Sequence, residues 1–328
     1  MDQPVRWGDA VLHQPPEWYR STAARTLADT VLQFQSPQGA WPKNTDLSVR
    51  PHSPAEMPAP DSEVANTIDN GATTLPMQFL ARVIQADGDD KYRQSFNRGL
   101  AYLFAAQYPN GGWPQFYPLR AGYYSHITFN DDAMVNVLTL LRDIGAGRAP
   151  YSFVDRTRRS RARAAVAKGI EIILRTQIKQ NGKLTAWCAQ YDERTFEPAW
   201  ARNYEPPSLS GEESAGIVRF LIEIDHPSRQ IRAAIKGALE WFRAAAINGI
   251  RLEEFTGPDG RRDRRVVPDP TAPLLWARFY ELGTNRPIFL GRDRVFRYAF
   301  SEIEYERRNG YSYYGTWPAA LLTQDLTK

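Results

Sequence analysis

A turn motif that recurs at nearly constant spacing constrains this chain more than any other feature. The stretches LQFQSPQGAWPKN, FAAQYPNGGWPQF and LRTQIKQNGKLTAW each carry a glutamine, a turn and a tryptophan: Gln35 with Trp41, Gln107 with Trp113, and Gln177 with Trp187. Counted from 35 to 107 to 177, the glutamines are 72 and 70 residues apart. A fixed period of this length marks a repeated supersecondary unit, too long for the common short solenoid repeats.

Each unit opens with an amphipathic helix that ends just after its glutamine. Apolar residues fall at helical spacing: Ala24, Leu27, Ala28, Val31 and Leu32 in the first, Phe96, Leu100, Leu103 and Phe104 in the second, Val166, Ile170, Ile173 and Leu174 in the third. Pro and Gly then stop the helix. A second helix follows each turn, with starts rich in polar residues: TIDNGATT, TFNDDAM and SLSGEES. Such residues serve as N-caps, and carboxylates there complement the helix dipole.

Paired helices repeated in this way predict an all-α dominated fold, an α/α toroid or incomplete α/α barrel with short β-strands and long loops. The second helices would form an inner ring, their N-termini gathered at one rim. The expected organisation is a single catalytic domain over 1–328, with helix pairs at about 17–95, 91–160 and 160–250. Residues 250–328 read as a charged, turn-rich, irregular extension with strand-like pieces.

The chain has 328 residues, 42% of them hydrophobic, which suffices for a sizeable core. A net charge of +4 does not argue for nucleic acid, but it allows a local basic groove for an acidic substrate. No run of about 18 apolar residues is present, so no membrane span is expected. Cys188 is the single cysteine, which rules out an intrachain disulfide. The opening MDQPVRWGDAVLHQPPEWYR has no apolar signal core. Nothing demands a partner chain, so a monomer is expected.

Three polar groups sit at the second-helix starts: Asp69–Asn70, Asn130–Asp131–Asp132 and Ser208 to Glu213. They are either simple caps or, gathered at one rim, hard oxygen ligands suited to calcium or magnesium. A second set is cationic: Lys43, Arg120, Arg202 and Arg292. Arginine binds carboxylates through a planar fork. Arg202 stands out, because it lies between aromatics just ahead of a second helix. No histidine pair has zinc spacing, and Ser208 and Ser210 lie in no nucleophile elbow.

The stretches GAWPKN, TIDNGATT, NGGWPQFYPLRAGYYSHITFNDDAM, WARNYEPPSLSGEES, FLGRDR and ERRNGYSYYG together resemble polysaccharide lyase family 10, the pectic acid lyases. The resemblance runs from about residue 34 to 317. It implies polygalacturonate as substrate, anti β-elimination to a 4,5-unsaturated product, and Ca2+ as cofactor. It implies Asp69 and Asp131, with Asn70 close by, as calcium-site residues, Arg202 as the catalytic base and Arg292 as a carboxylate-binding residue; Lys43, Asn70, Arg120, Tyr124 and Tyr311 are expected to join Arg292 in binding substrate. Of the two readings of the N-terminus, a cytoplasmic protein or one whose leader has been removed, the expectation is secretion with the signal peptide removed. One departure falls at Arg292: the family has an Asp before this Arg and a Gly after the following Asp, whereas here the run is Gly291–Arg292–Asp293–Arg294.

An arginine base requires alkaline operation, or a pKa lowered by calcium and neighbouring arginines, because a guanidinium ordinarily titrates above about 12. Two other readings remain at this level. An inverting glycosidase would use Asp131 with Glu212 or Glu213, spaced about 6.5–9.5 Å apart around a water. A non-catalytic binder of acidic polysaccharide would need only exposed rings and a basic groove.

Overall fold

The first helix of each unit forms where the apolar periodicity places it. The computed structural model describes residues 5–323; the first four and last five residues of the single-domain reading lie outside them. Helices α1 (Thr22–Gln33), α3 (Asp90–Ala106) and α5 (Arg156–Thr176) each end just before their glutamine or one residue further upstream. Ser21 caps α1 by accepting the Ala24 N–H, and Asp89 caps α3 by accepting that of Lys91. The second helices are α2 (Thr74–Asp87), α4 (Ala133–Ala146) and α6 (Glu213–Ile222). The fold is helix-dominated with short strands, as expected.

The glutamine and tryptophan are the fasteners of each repeat. Gln35 Nε2 donates to its own turn at Gly39 O (2.8 Å) and to the next helix at Ser95 O (2.9 Å). Gln107 does the same at Gly111 O (3.1 Å) and Ala165 O (2.9 Å), and Gln177 at Thr185 O (2.8 Å) and Ala234 O (2.9 Å). Each tryptophan is fully buried, and its indole N–H donates back to the preceding helix: Trp41 to Val31 O, Trp113 to Leu103 O, and Trp187 to Ile173 O, all at 2.8 Å. A buried donor left unpaired is costly, so these bonds fix how each turn folds back.

The repeat runs further than the three copies read from the sequence. Helix α7 (Arg229–Ala245), capped by Ser228, is the first helix of a fourth copy whose tryptophan is Trp276. Trp276 Nε1 donates to Phe242 O at 2.9 Å. The segments WCAQYDERTFEP and WARFYELGTNRP share the pattern W-x-x-x-Y-[DE]-x-x-T-x-x-P. Tyr191 OH accepts the Cys188 N–H (2.7 Å) as Tyr280 OH accepts that of Ala277 (2.9 Å). In both, a residue with left-handed backbone, Phe196 or Asn285, precedes the two residues ending in proline. A long insertion between α7 and Trp276 hides the period.

That insertion carries a small sheet, as expected of the extension, but in the stretch that reads as charged and turn-rich. Ile250–Thr256 and Arg262–Pro268 form an antiparallel hairpin, with Ile250 opposite Pro268 and Thr256 opposite Arg262. Cross-strand ion pairs, Arg265 with Glu253 (2.7 Å) and Arg262 with Glu254, stand where apolar alternation would have signalled strands.

The chain divides into two compact units, residues 1–172 and 173–328. In the first, α2 packs against α1, α3 and α4. In the second, α6 packs against α7, and Tyr204, Phe279, Ile288, Phe289, Leu290, Phe300, Ile303 and Tyr313 form a buried apolar cluster.

Candidate active site

The polar second-helix starts of the first unit are not caps. The N-cap residues of α2 and α4 are Thr73 and Asp132, and neither makes a side-chain cap hydrogen bond. Ahead of each helix lies a short 3-10 turn, Asp69–Gly71 and Asn130–Asp132. The two turns match residue by residue. Ile68 and Phe129 share φ/ψ values of (−99°, −5°) and (−93°, −10°), and Asn70 and Asp131 are both left-handed, at φ 51° and 49°. Short polar side chains tolerate that conformation where most residues do not. The turns pack against each other, which brings Asp69 and Asp131 into one neighbourhood.

Asp69 is 4% exposed and is gripped on one oxygen. Lys43 Nζ lies 2.6 Å from Oδ2, and Gln115 Nε2 donates to the same atom at 2.8 Å. Lys43 and Gln115 are repeat equivalents, each two residues after its tryptophan. Gln115 was missed by the sequence reading, although aligning WPKN with WPQF points to it. The other oxygen, Oδ1, is buried with no hydrogen-bond partner among the described residues. Asp131 Oδ2 accepts from Asn130 Nδ2 at 2.7 Å.

The expected substrate residues of this unit gather around Phe116. The Arg120 guanidinium stacks 4.0 Å over its ring, and Lys43 Nζ lies 5.3 Å above it. Tyr124 meets it edge-on at 5.1 Å. Arg120 Nη2 also donates to Ala65 O at 2.9 Å, and the exposed Asn70 donates to Asn44 Oδ1 at 3.0 Å.

Arg202, Arg292 and Tyr311 belong to the second unit and cluster around Tyr204. The guanidinium carbons of Arg202, Arg292 and Arg307 lie 4.9, 5.7 and 4.4 Å from the Tyr204 ring centre. Arg307, from the ERRNGYSYYG stretch, was not singled out by sequence. Glu306 bridges Arg292 (3.0 Å) and Arg307, and these two arginines hold its carboxyl down at about 2. Arg202 Nε donates to Glu205 Oε2 at 2.8 Å, and Nη2 donates to Oε1. Tyr311 OH donates to that same Oε1 at 2.9 Å. Burial pulls the Arg202 guanidinium down, but the Glu205 carboxylate more than offsets this and leaves it above its ordinary value. A lowering by neighbouring arginines was one expectation; within this unit the adjacent carboxylate prevails. Burial raises the Tyr311 hydroxyl well above its usual range, so it stays a donor.

The two glutamates considered for a glycosidase, Glu212 and Glu213, are committed to structure. Glu213 is fully buried, accepts from Ser210 Oγ, and pairs with Arg278 Nη2 at 2.6 Å. Arg278 Nη1 lies 2.8 Å from Glu212 Oε2, an ion pair without hydrogen-bond alignment. A cavity of about 820 Å³ opens in the first unit, lined by residues that include Tyr19, Arg82 and Pro150. None of the expected site residues lines it.

A family profile described as pectic acid lyase matches residues 35–322. Two solved structures are similar at 35% identity and a TM-score of 0.80, covering 94% of this chain and 93% of theirs. One is the family 10 polysaccharide lyase from Cellvibrio cellulosa. The other is an aspartate-to-alanine mutant of the Cellvibrio cellulosa family 10 lyase in complex with trigalacturonic acid. No curated protein matches the chain. With the match comes the helical toroid fold of these lyases. A profile spanning most of the chain, and structures alike over nearly all of it, make this chain a member of the pectic acid lyase family and an enzyme of the polysaccharide lyase class.

Proposed function

We propose that the enzyme cleaves polygalacturonate by calcium-dependent anti β-elimination, with Arg202 taking the C5 proton and 4,5-unsaturated oligogalacturonides as products. The family match and the trigalacturonic acid held by a similar structure support the substrate. The observation that carries the chemistry is Asp69. One oxygen is neutralised by Lys43 and Gln115, while the buried Oδ1 has no partner among the described residues. An orphaned buried carboxylate oxygen is expensive, and a hard divalent cation satisfies it. With the carboxylate of Asp131 and the amide oxygens of Asn70 and Asn130 nearby, the donor set fits calcium.

Calcium held by Asp69 and Asp131 would supply positive charge to the uronate carboxylate, making the C5 proton more acidic. Lys43, Arg120 and Arg292 add fixed positive charge for the acidic chain, and Tyr124 and Asn70 offer a ring face and an amide. Arg292 is the readiest to move, because its pair with Glu306 is half-exposed on both sides and so weakly held. In the chemical step the C5–H electron pair forms the C4–C5 double bond and the C4–O bond breaks. Arg202 receives the proton. Because Glu205 keeps Arg202 protonated, turnover should rise with pH into the alkaline range.

The commitment of Glu212 and Glu213 to Arg278 speaks against the inverting glycosidase. A polymeric substrate fits work outside the cell, and a single chain supplies every residue invoked. The test is incubation with polygalacturonate while ultraviolet absorbance is followed. Absorbance should grow with calcium at alkaline pH, stop with EDTA and return with added calcium. Arg202→Ala should retain binding and lose at least about a hundredfold in turnover. Chain cleavage without new absorbance, or an optimum below neutral, would overturn the reading.

A further inference from the structure

We propose that Glu205 is a positioning residue of this reaction: its one buried carboxylate fixes the Arg202 guanidinium and the Tyr311 hydroxyl in a single arrangement and keeps the guanidinium in its protonated form between turnovers. The inference rests on Arg202 being the base.

Four donors converge on two oxygens. Oε2 accepts from Arg202 Nε (2.8 Å) and from the Arg202 backbone N–H (3.1 Å). Oε1 accepts from Arg202 Nη2 and from Tyr311 OH (2.9 Å), a residue 106 positions away. Burial is sharply unequal: the Glu205 side chain is 4% exposed and that of Arg202 is 42%. The acid therefore lies beneath, while the guanidinium opens outward. Arg202 Nη1 makes no hydrogen bond among the described residues. When the guanidinium loses a proton, Glu205 still needs the N–H groups on Nε and Nη2. The lone pair is thus left on Nη1, the nitrogen turned away from the acid. A carboxylate that orients a base and selects its protonated nitrogen is a known device for imidazole; here it acts on guanidine. Nη1 accepts the C5 proton, the C5–H electrons form the C4–C5 double bond, and the leaving oxygen takes the C4–O electrons and later a solvent proton.

Other groups face this pair. The Tyr204 and Tyr311 rings flank Arg202 at 4.9 and 5.8 Å. Arg292 and Arg307 lie against Tyr204, with Glu306 holding both, and Arg278 lies 4.7 Å over Tyr311, with Glu212 and Glu213 behind it. All of these remain when Glu205 alone is changed, so a change in titration belongs to the Glu205 charge.

The experiment is the pH profile of kcat and kcat/KM on polygalacturonate at saturating calcium. Glu205→Gln removes the charge, and its alkaline-rising limb should move to lower pH by at least about one unit. Its plateau kcat should fall about tenfold or more, with little change in KM, because two acceptor contacts are lost. Glu205→Asp keeps the charge and shortens the reach, so its limb should stay in place while its plateau falls. Should Glu205→Gln not fold, the Glu205→Asp profile decides, together with Tyr311→Phe, which should also lower the plateau without moving the limb. A wild-type limb in Glu205→Gln, or a wild-type plateau in Glu205→Asp, overturns the inference. Arg202→Ala separates the two levels: substantial turnover in that variant sinks the base itself, whereas an inactive Arg202→Ala beside a wild-type Glu205→Gln sinks only the role of Glu205.

Discussion

Asp69 and Glu213 are both buried carboxylates, yet they are built for different purposes. Asp69 is neutralised on one oxygen only, and its second oxygen faces no donor among the described residues. Glu213 is met by Arg278 on one oxygen and by Ser210 on the other. Desolvating a charge is tolerable only when partners replace water, so the incomplete set around Asp69 points to a ligand and the complete set around Glu213 to structure. Arg278→Met should therefore act on stability, not on the chemistry of Glu213. It strands a fully buried carboxylate and should cost about 3–5 kcal/mol. Urea denaturation measures this, and a loss below about 1 kcal/mol would show that Glu213 finds relief elsewhere. Sequence singled out both acids from their place at second-helix starts, but the cations that pair with them, Lys43 and Arg278, lie 26 and 65 residues away.

The unit of construction is a helix, a glutamine clasp and a buried tryptophan. The clasp imposes a glycine at one point in the first two copies. Gly39 and Gly111 have φ of +102° and +99°, and a Cβ on either would collide with the backbone carbonyl of Arg98 or Lys168 in the helix below. Gly39→Ala and Gly111→Ala should each destabilise by about 2 kcal/mol or more, from strain and forced separation of the turn from that helix. Gly182 is the control. Its φ is +75°, but its Cβ would meet open space, so Gly182→Ala should cost less. Urea midpoints of the three variants check the order, and equal losses would mean that backbone strain alone decides. The first two copies were legible because glutamine, glycine and tryptophan sit close together in sequence. The fourth was not, because the hairpin at Ile250–Pro268 separates α7 from Trp276.

Across the whole molecule, arginine–carboxylate pairs set the acid limit of stability. Arg308 and Asn309 hold the Asp263 carboxyl well below its usual range, and Arg307 and Arg292 bring Glu306 down to about 2. Carboxyls of the unfolded chain titrate near about 4. The pairs therefore contribute fully above that value, and the contribution is lost as pH falls from about 4 towards the folded values. Glu306 is half-exposed and counts for little; Asp263, mostly covered against Arg308, carries more. Asp263→Asn should be less stable than wild type at pH 7, and the gap should begin to narrow only as pH falls below about 4. Urea midpoints at several pH values measure it, and a gap independent of pH would exclude the charge of Asp263 as its source.

Sequence alone determined three of the helix-pair repeats, the approximate course of their helices and the neighbourhoods in which the polar residues stand. These follow from patterns a few residues wide: apolar spacing, capping oxygens, and residues that tolerate a left-handed turn. Only the tertiary structure decided which polar atoms meet. Lys43 and Gln115 arrive at the same Asp69 oxygen from successive repeats, and Tyr311 reaches Glu205 across 106 positions. A side chain's partner is fixed by what packing brings into reach once water is excluded. No local pattern records that, so the chemistry-bearing residues could be named from sequence while their couplings could not.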